Sequence, residues 1–220
     1  MTTAAATRKP QASAKRNLKT WIYVAVVVVV LAIIALGTKV VSDDDAAQFA
    51  GPAKFDAATY GAEEFPVVQQ FVSENAAQAT ELAAALSADK DAAIEQFSSS
   101  TSDNPVFPVT LTGVVGEKTG NSYEIDVEGM PDDLVVRVQV GPAINGTDLR
   151  DVTGQISFGQ FTNQIEFQNA GAALNEELKT AVLGDIDVDS LSGKTITLSG
   201  AFTSINPDAW LIAPTELSVQ

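Results

Sequence analysis

Arg150 and Asp151 are adjacent, and beyond residue 20 the only arginines are Arg137 and Arg150. A guanidinium in an acidic chain can hold a ligand carboxylate or phosphate through two parallel hydrogen bonds. The same group serves equally in an internal ion pair, with Asp151 or Glu166 as the carboxylate. Downstream, Phe158 and Phe161 stand beside Asn163 and Gln164. An aromatic ring offers a flat apolar face, and an amide offers a donor and an acceptor together, the composition of a carbohydrate-contacting surface. The spacing is also that of a helix start, with Asn163 as N-cap, Glu166 three residues on and both phenylalanines in the core. Asp185, Asp187 and Asp189 alternate as calcium ligands can, but Ser190 and Ile196 stand where an EF-hand loop needs glycine and glutamate. The expectation there is a solvated turn, with Asp187 capping Val188 to Leu191, and no metal site. Asn145-Gly146-Thr147 fits both a glycosylation pattern and a tight turn.

Several chemistries are excluded outright. The 220 residues contain no histidine and no cysteine, so no Ser-His-Asp or Cys-His arrangement, thiolate metal site or disulfide can form. Neither GxxxxGK[ST] nor GxGxxG occurs, and no cofactor is implied. Paired carboxylates remain, and with 28 acids they leave a carboxylate-dependent glycan hydrolase as the alternative to a binding role. The leading expectation is not an enzyme.

The elements that must position these residues follow from charge and periodicity. There are 13 Lys+Arg against 28 Asp+Glu, a net charge of −15. The five charges in residues 1–20 are all basic: Arg8, Lys9, Lys15, Arg16 and Lys19. The remainder carries −20. Residues 20–38 are uncharged, and at about 1.5 Å per residue they span roughly 28 Å, close to the hydrocarbon thickness of a bilayer. Trp21 and Tyr23 stand at the interface position. The expectation is a cytoplasmic basic tail over 1–20, a transmembrane helix over 21–37, and everything beyond outside the cytoplasm, with Asp43, Asp44 and Asp45 just past the exit. A cleaved signal peptide, cut after Ala35-Leu36-Gly37, is the competing reading. Nucleic acid is not an expected partner, because an acidic domain repels phosphate.

Residues 38–104 read as a helical, membrane-proximal region. Asp56 can cap a helix, and Pro66 fits the first turn of another. Val68, Phe71, Val72, Ala79, Leu82, Ala83 and Leu86 recur at helical spacing. Asp89 marks a break and a cap, and residues 98–103 form a polar linker. From residue 105 the period becomes two. Tyr123, Ile125 and Val127 alternate with Glu124, Asp126 and Glu128, and Val136, Val138 and Val140 alternate with Arg137 and Gln139. Ile156 to Phe158 is another short apolar run. A helix follows, with Phe167, Ala170, Leu174 and Leu178 on one face, then two closing strands, the last holding Pro214 as an edge strand would. The fold class is α+β. Three strands, a helix and two strands, over 105–220, give the order of a small antiparallel OB-like β-barrel with one helix between strands 3 and 4.

The stretches Gly141-Pro142-Ala143-Ile144-Asn145-Gly146-Thr147-Asp148-Leu149-Arg150-Asp151 and Ile156 to Glu166, followed by Ala173-Leu174-Asn175, resemble a family of predicted periplasmic lipoproteins, domain of unknown function 2291. The resemblance runs over about residues 38–220. Members carry a lipobox cysteine, whereas Thr38 stands in its place in Gly37-Thr38-Lys39, so the apolar helix itself would tether the chain. Members also commonly show a basic residue where Asn145 stands. The resemblance implies an extracytoplasmic, membrane-held protein of unassigned activity, and its relatives' frequent neighbourhood to sugar-type importers implies a transporter component as partner. The expected function is a membrane-tethered, extracytoplasmic binding or accessory module. Its candidate ligand-binding residues are Arg150, Asp151, Phe158, Phe161, Asn163 and Gln164.

Overall fold

A computed structural model describes residues 14–37, 55–99 and 104–220. The expectations for the basic tail before Ala14, the aspartates at 43–45 and the polar linker at 100–103 lie outside the described residues. The chain divides into two compact units, Met1–Lys54 and Phe55–Gln220.

In the first unit a single helix, α1 (Ala14–Gly37), covers the apolar run. Every side chain described in it, residues 21–34, is exposed. No helix among the described residues is long and apolar enough to cross a membrane. The backbone is helical throughout the 21–37 stretch expected to cross the membrane, but the helix does not qualify as a membrane span among the described residues.

In the second unit the first helix is α2 (Ala57–Asn75), and Asp56 caps it by accepting from the Thr59 amide at 2.8 Å. Pro66 lies inside α2 rather than starting a new helix. It is exposed, and the buried stripe of Phe65, Val68 and Val72 carries the helix through it. Strand β1 (Ala77–Gln78) leads into α3 (Ala79–Ala88), and α4 (Lys90–Phe97) follows, capped by Asp89 through the amides of Asp91 and Ala92.

Five longer strands close the barrel: β2 (Val106–Thr119), β3 (Ser122–Asp126), β4 (Val135–Gln139), β5 (Thr195–Thr203) and β6 (Ala209–Val219). The sheet order is β1-β2-β3-β4-β6-β5, and β2 also pairs with β5, which closes it. Between β4 and β5 come α5 (Asp148–Asp151) and α6 (Gln164–Ala181). The barrel is mixed rather than antiparallel, since β4 pairs β6 in parallel and β1 pairs β2 in parallel. The crossover through α6 reverses the usual hairpin order: β5 returns antiparallel to β2, and β6 then runs beside β4 in the same direction. Pro214 sits at the register shift between Ser199 and Gly200, beyond the last β4 partner, Ile212. A Cβ on Gly200 would stand 2.5 Å from the Ala213 carbonyl oxygen, so the strands approach there only because the side chain is missing.

Two further expectations are corrected. Ile156 to Phe158 forms no strand; the chain makes a 3-10 turn at Phe158–Gln160, where the Gln160 side chain accepts from the Ser157 amide at 3.0 Å. Asn145-Gly146 is not a hairpin turn but a bend into α5, held because Gln139 binds both the Asn145 amide and its carbonyl at 2.9 Å.

Alternation along β2 splits the core in two. Phe107, Val109 and Leu111 face the barrel interior with Ile125, Val138, Phe202 and Trp210. Val106 faces the helices with Phe65, Val68, Leu174, Leu178 and Ala201. Inside the barrel, Phe202 stacks on Trp210 at 4.4 Å between centroids. Helices α2 and α6 approach closely at Gly61, where a Cβ would stand 2.8 Å from the Ala173 carbonyl oxygen. Gly61→Ala should therefore cost about 1–3 kcal/mol in chemical denaturation, by forcing the helices apart. Gly159→Ala, with nothing within 4 Å, should stay within about 0.5 kcal/mol of the parent. Equal midpoints for the two variants would refute this account of the packing.

Candidate functional site

The connection from β4 to α6 is a loop made rigid by side chains from three directions. Gln139, 2% exposed, grips Asn145 from the end of β4. Asn175, buried on α6, donates to the Gly146 carbonyl at 3.0 Å. Thr203, at the end of β5, donates a short hydrogen bond to Asp148. The single turn of α5 then sets Arg150 and Asp151 side by side.

Arg150 is 9% exposed, and each of its three guanidinium nitrogens makes a hydrogen bond. Nε meets Asp151 Oδ1 at 2.7 Å and Nη2 meets Oδ2 at 3.0 Å, a bidentate pair. Nη1 donates to the Phe167 carbonyl at 3.3 Å. The plane lies 3.8 Å from the centroid of the Phe167 ring. Thr147 adds a hydrogen bond to Asp151 at 2.7 Å. Glu166, the other carboxylate considered as partner, instead accepts from the Thr162 amide at 3.0 Å. The arginine thus fixes the loop, and Asp151 takes its Nε–Nη2 fork.

Around Phe167 the structure assembles the aromatic residues. Phe158 meets it edge-on at 5.8 Å and Phe161 lies at 5.4 Å. Phe161 also touches Phe55 and Tyr60 of the α2 start, each at 5.7 Å. Burial pushes the Tyr60 hydroxyl up to about 12, with Glu64 adding to the rise and Arg150 opposing it. Phe158 remains half exposed. Asn163 is occupied as the N-cap of α6, accepting from the amides of Ile165 and Glu166. Gln164 is exposed at the first position of α6. So Arg150, Asp151, Phe158 and Phe161 come together, whereas Asn163 is spent on the helix and Gln164 stands on its surface.

On the other side of the loop a cavity of about 510 Å³ opens, lined by Asn145, Thr147, Asp148, Asp151 and Thr203, with Ile205 and Leu211 as apolar wall. Asp148 had no signal in the sequence, because its partner Thr203 is 55 residues away. Burial raises its carboxyl from 3.8 to about 6; Thr203 opposes that shift by hydrogen bonding, and the Asp151 charge adds to it. The folded chain therefore keeps this proton over a range in which the unfolded chain has lost it. The associated stability is complete below pH of about 4 and is lost as pH rises through about 6. Asp148→Asn removes that dependence. Its unfolding free energy relative to the parent should improve between pH of about 4 and about 7, by at most about 3 kcal/mol. A difference flat across that range would overturn the assignment.

The barrel is similar to an OB-fold protein from Thermotoga maritima MSB8, with a TM-score of 0.59 and 20% identity, covering 76% of this chain and 99% of that one. This likeness defines the fold. The chain belongs to the family described as predicted periplasmic lipoprotein, domain of unknown function 2291, whose model matches residues 27–218. That family indicates an extracytoplasmic, membrane-associated location. No curated protein matches the chain.

Proposed function

We propose that the chain is a membrane-tethered, extracytoplasmic binding or accessory module, with α1 retained as a single-pass anchor and its N-terminus in the cytoplasm. The observation that carries this is the bare apolar surface of α1, where Val24, Val26 to Leu31, Ile33 and Ile34 are all exposed. An apolar face of that extent needs a cover, and the uncharged sequence continues on both sides, from Thr20 to Thr38. The sequence offers no cysteine for a lipid, so the helix takes over the tether that a lipoprotein would obtain from its acyl chains. The rigid Arg150 loop, with the half-exposed Phe158 on one side and the cavity of Asp148 and Asp151 on the other, is the surface that meets a solute or a transporter component of a sugar-type importer. Protease added to spheroplasts should remove the C-terminal unit and leave a small membrane-held fragment. Full protection of the chain would overturn the topology. Purification from membranes in mild detergent should recover an importer component, and recovery of the chain alone would remove that partner.

A second reading, a carboxylate-dependent glycan hydrolase, is favoured by one observation. Asp148, held up to about 6 by burial, lines the same cavity as Asp151, which is paired with Arg150, and a raised carboxyl beside a second carboxylate suits an acid role. Glycan turnover lost in Asp148→Asn would support it, and no turnover across a glycan panel would discard it.

A further inference from the structure

A second cavity lies where α3, α4 and the β3–β4 and β5–β6 connections meet. Its volume is about 180 Å³, about six waters' share of liquid volume, which suits a single small molecule and not an oligomer. It shares no lining residue with the cavity at the Arg150 loop.

Its chemistry is divided. Leu86, Leu134, Pro131 and the edge of Trp210 form an apolar wall. At the mouth stand three exposed charged residues from three different elements: Lys90 at the start of α4, Asp133 before β4, and Asp208 before β6. None of the three makes an ion pair among the described residues, although the ion pairs elsewhere include Lys118 with Asp189 and Lys179 with Glu176. In the wall, Ser204 is 8% exposed, and its hydroxyl has no hydrogen-bond partner among the described residues. Its oxygen is open to the cavity, where it can both donate and accept.

We infer that this cavity binds a free α-amino acid with an aliphatic side chain. Lys90 receives the carboxylate, Asp208 and Asp133 receive the ammonium, Ser204 hydrogen-bonds the head group, and the leucines take the side chain. Groups of both signs lining one small cavity without pairing with each other match a ligand that carries both signs. A purely anionic ligand is opposed by the net charge of −20 beyond residue 20. A monosaccharide would want a ring face to stack on, and Trp210 offers none, being 2% exposed and stacked on Phe202.

The test is equilibrium dialysis of the full chain in detergent with radiolabelled L-leucine. Saturable binding is expected, weakened about tenfold or more by Lys90→Met and by Asp208→Asn and several-fold by Ser204→Ala, each variant keeping the parent's circular dichroism. Asp133→Asn replaces Asp208→Asn if that variant does not fold. Glu177→Gln, on α6 and outside the lining of this cavity, should bind as the parent does. Isovalerate, isopentylamine and D-glucose should not compete. No saturation at millimolar L-leucine, unchanged binding in both charge variants, or equal competition by glucose or by either singly charged analogue would overturn the inference. None of these results bears on the topology tested by protease.

Discussion

The second unit depends on the pairing of β2 with β5. From Val106 opposite Thr203 to Val114 opposite Thr195 the two strands run antiparallel without interruption. This ladder closes the barrel, and it is also the wall between the two cores, because consecutive residues of each strand face opposite sides. Phe107 and Phe202 point inward, while Val106 and Ala201 meet the helices. On the outer surface its polar residues satisfy one another: the Thr112 and Thr197 hydroxyls lie 2.8 Å apart, and Ser199 donates to Thr110 at 3.2 Å. A one-residue slip would turn every one of these side chains to the wrong side.

Upon that frame the β4–α6 connection is built as a brace. Arg150 stands between the loop and α6, neutralised by its neighbour and stacked on a ring from the helix. Removing one partner of so buried a pair leaves an uncompensated charge, which is far costlier than never having had the pair. The brace thus holds the Asp148 and Asp151 carboxylates in fixed positions on the wall of an open cavity, an arrangement suited to recognition by a preorganised surface.

What could be read in the sequence is what is local. Asp56, Asp89 and Asn163 were recognisable as caps because a cap and its amides lie within three residues of each other. The strand through Tyr123 and Ile125 was visible in its alternation, whereas the adjacency of Arg150 and Asp151 left their pairing as one reading beside Glu166 and a ligand anion. The parallel β4–β6 contact was hidden, because no periodicity records which way a strand runs. The Phe167 ring under Arg150 and the Thr203 hydroxyl on Asp148 were hidden too. They lie 17 and 55 residues away in the chain, and only the folded crossover brings them close. Ile156 to Phe158 misled because two apolar residues on either side of a serine fit a strand and a 3-10 turn equally.

The end of β5 carries one more implication. Thr203 lines the cavity at the Arg150 loop, and the very next residue, Ser204, lines the other. Residues joined by one peptide bond thus stand in the walls of two separate cavities. A shift of that peptide unit would alter both walls together.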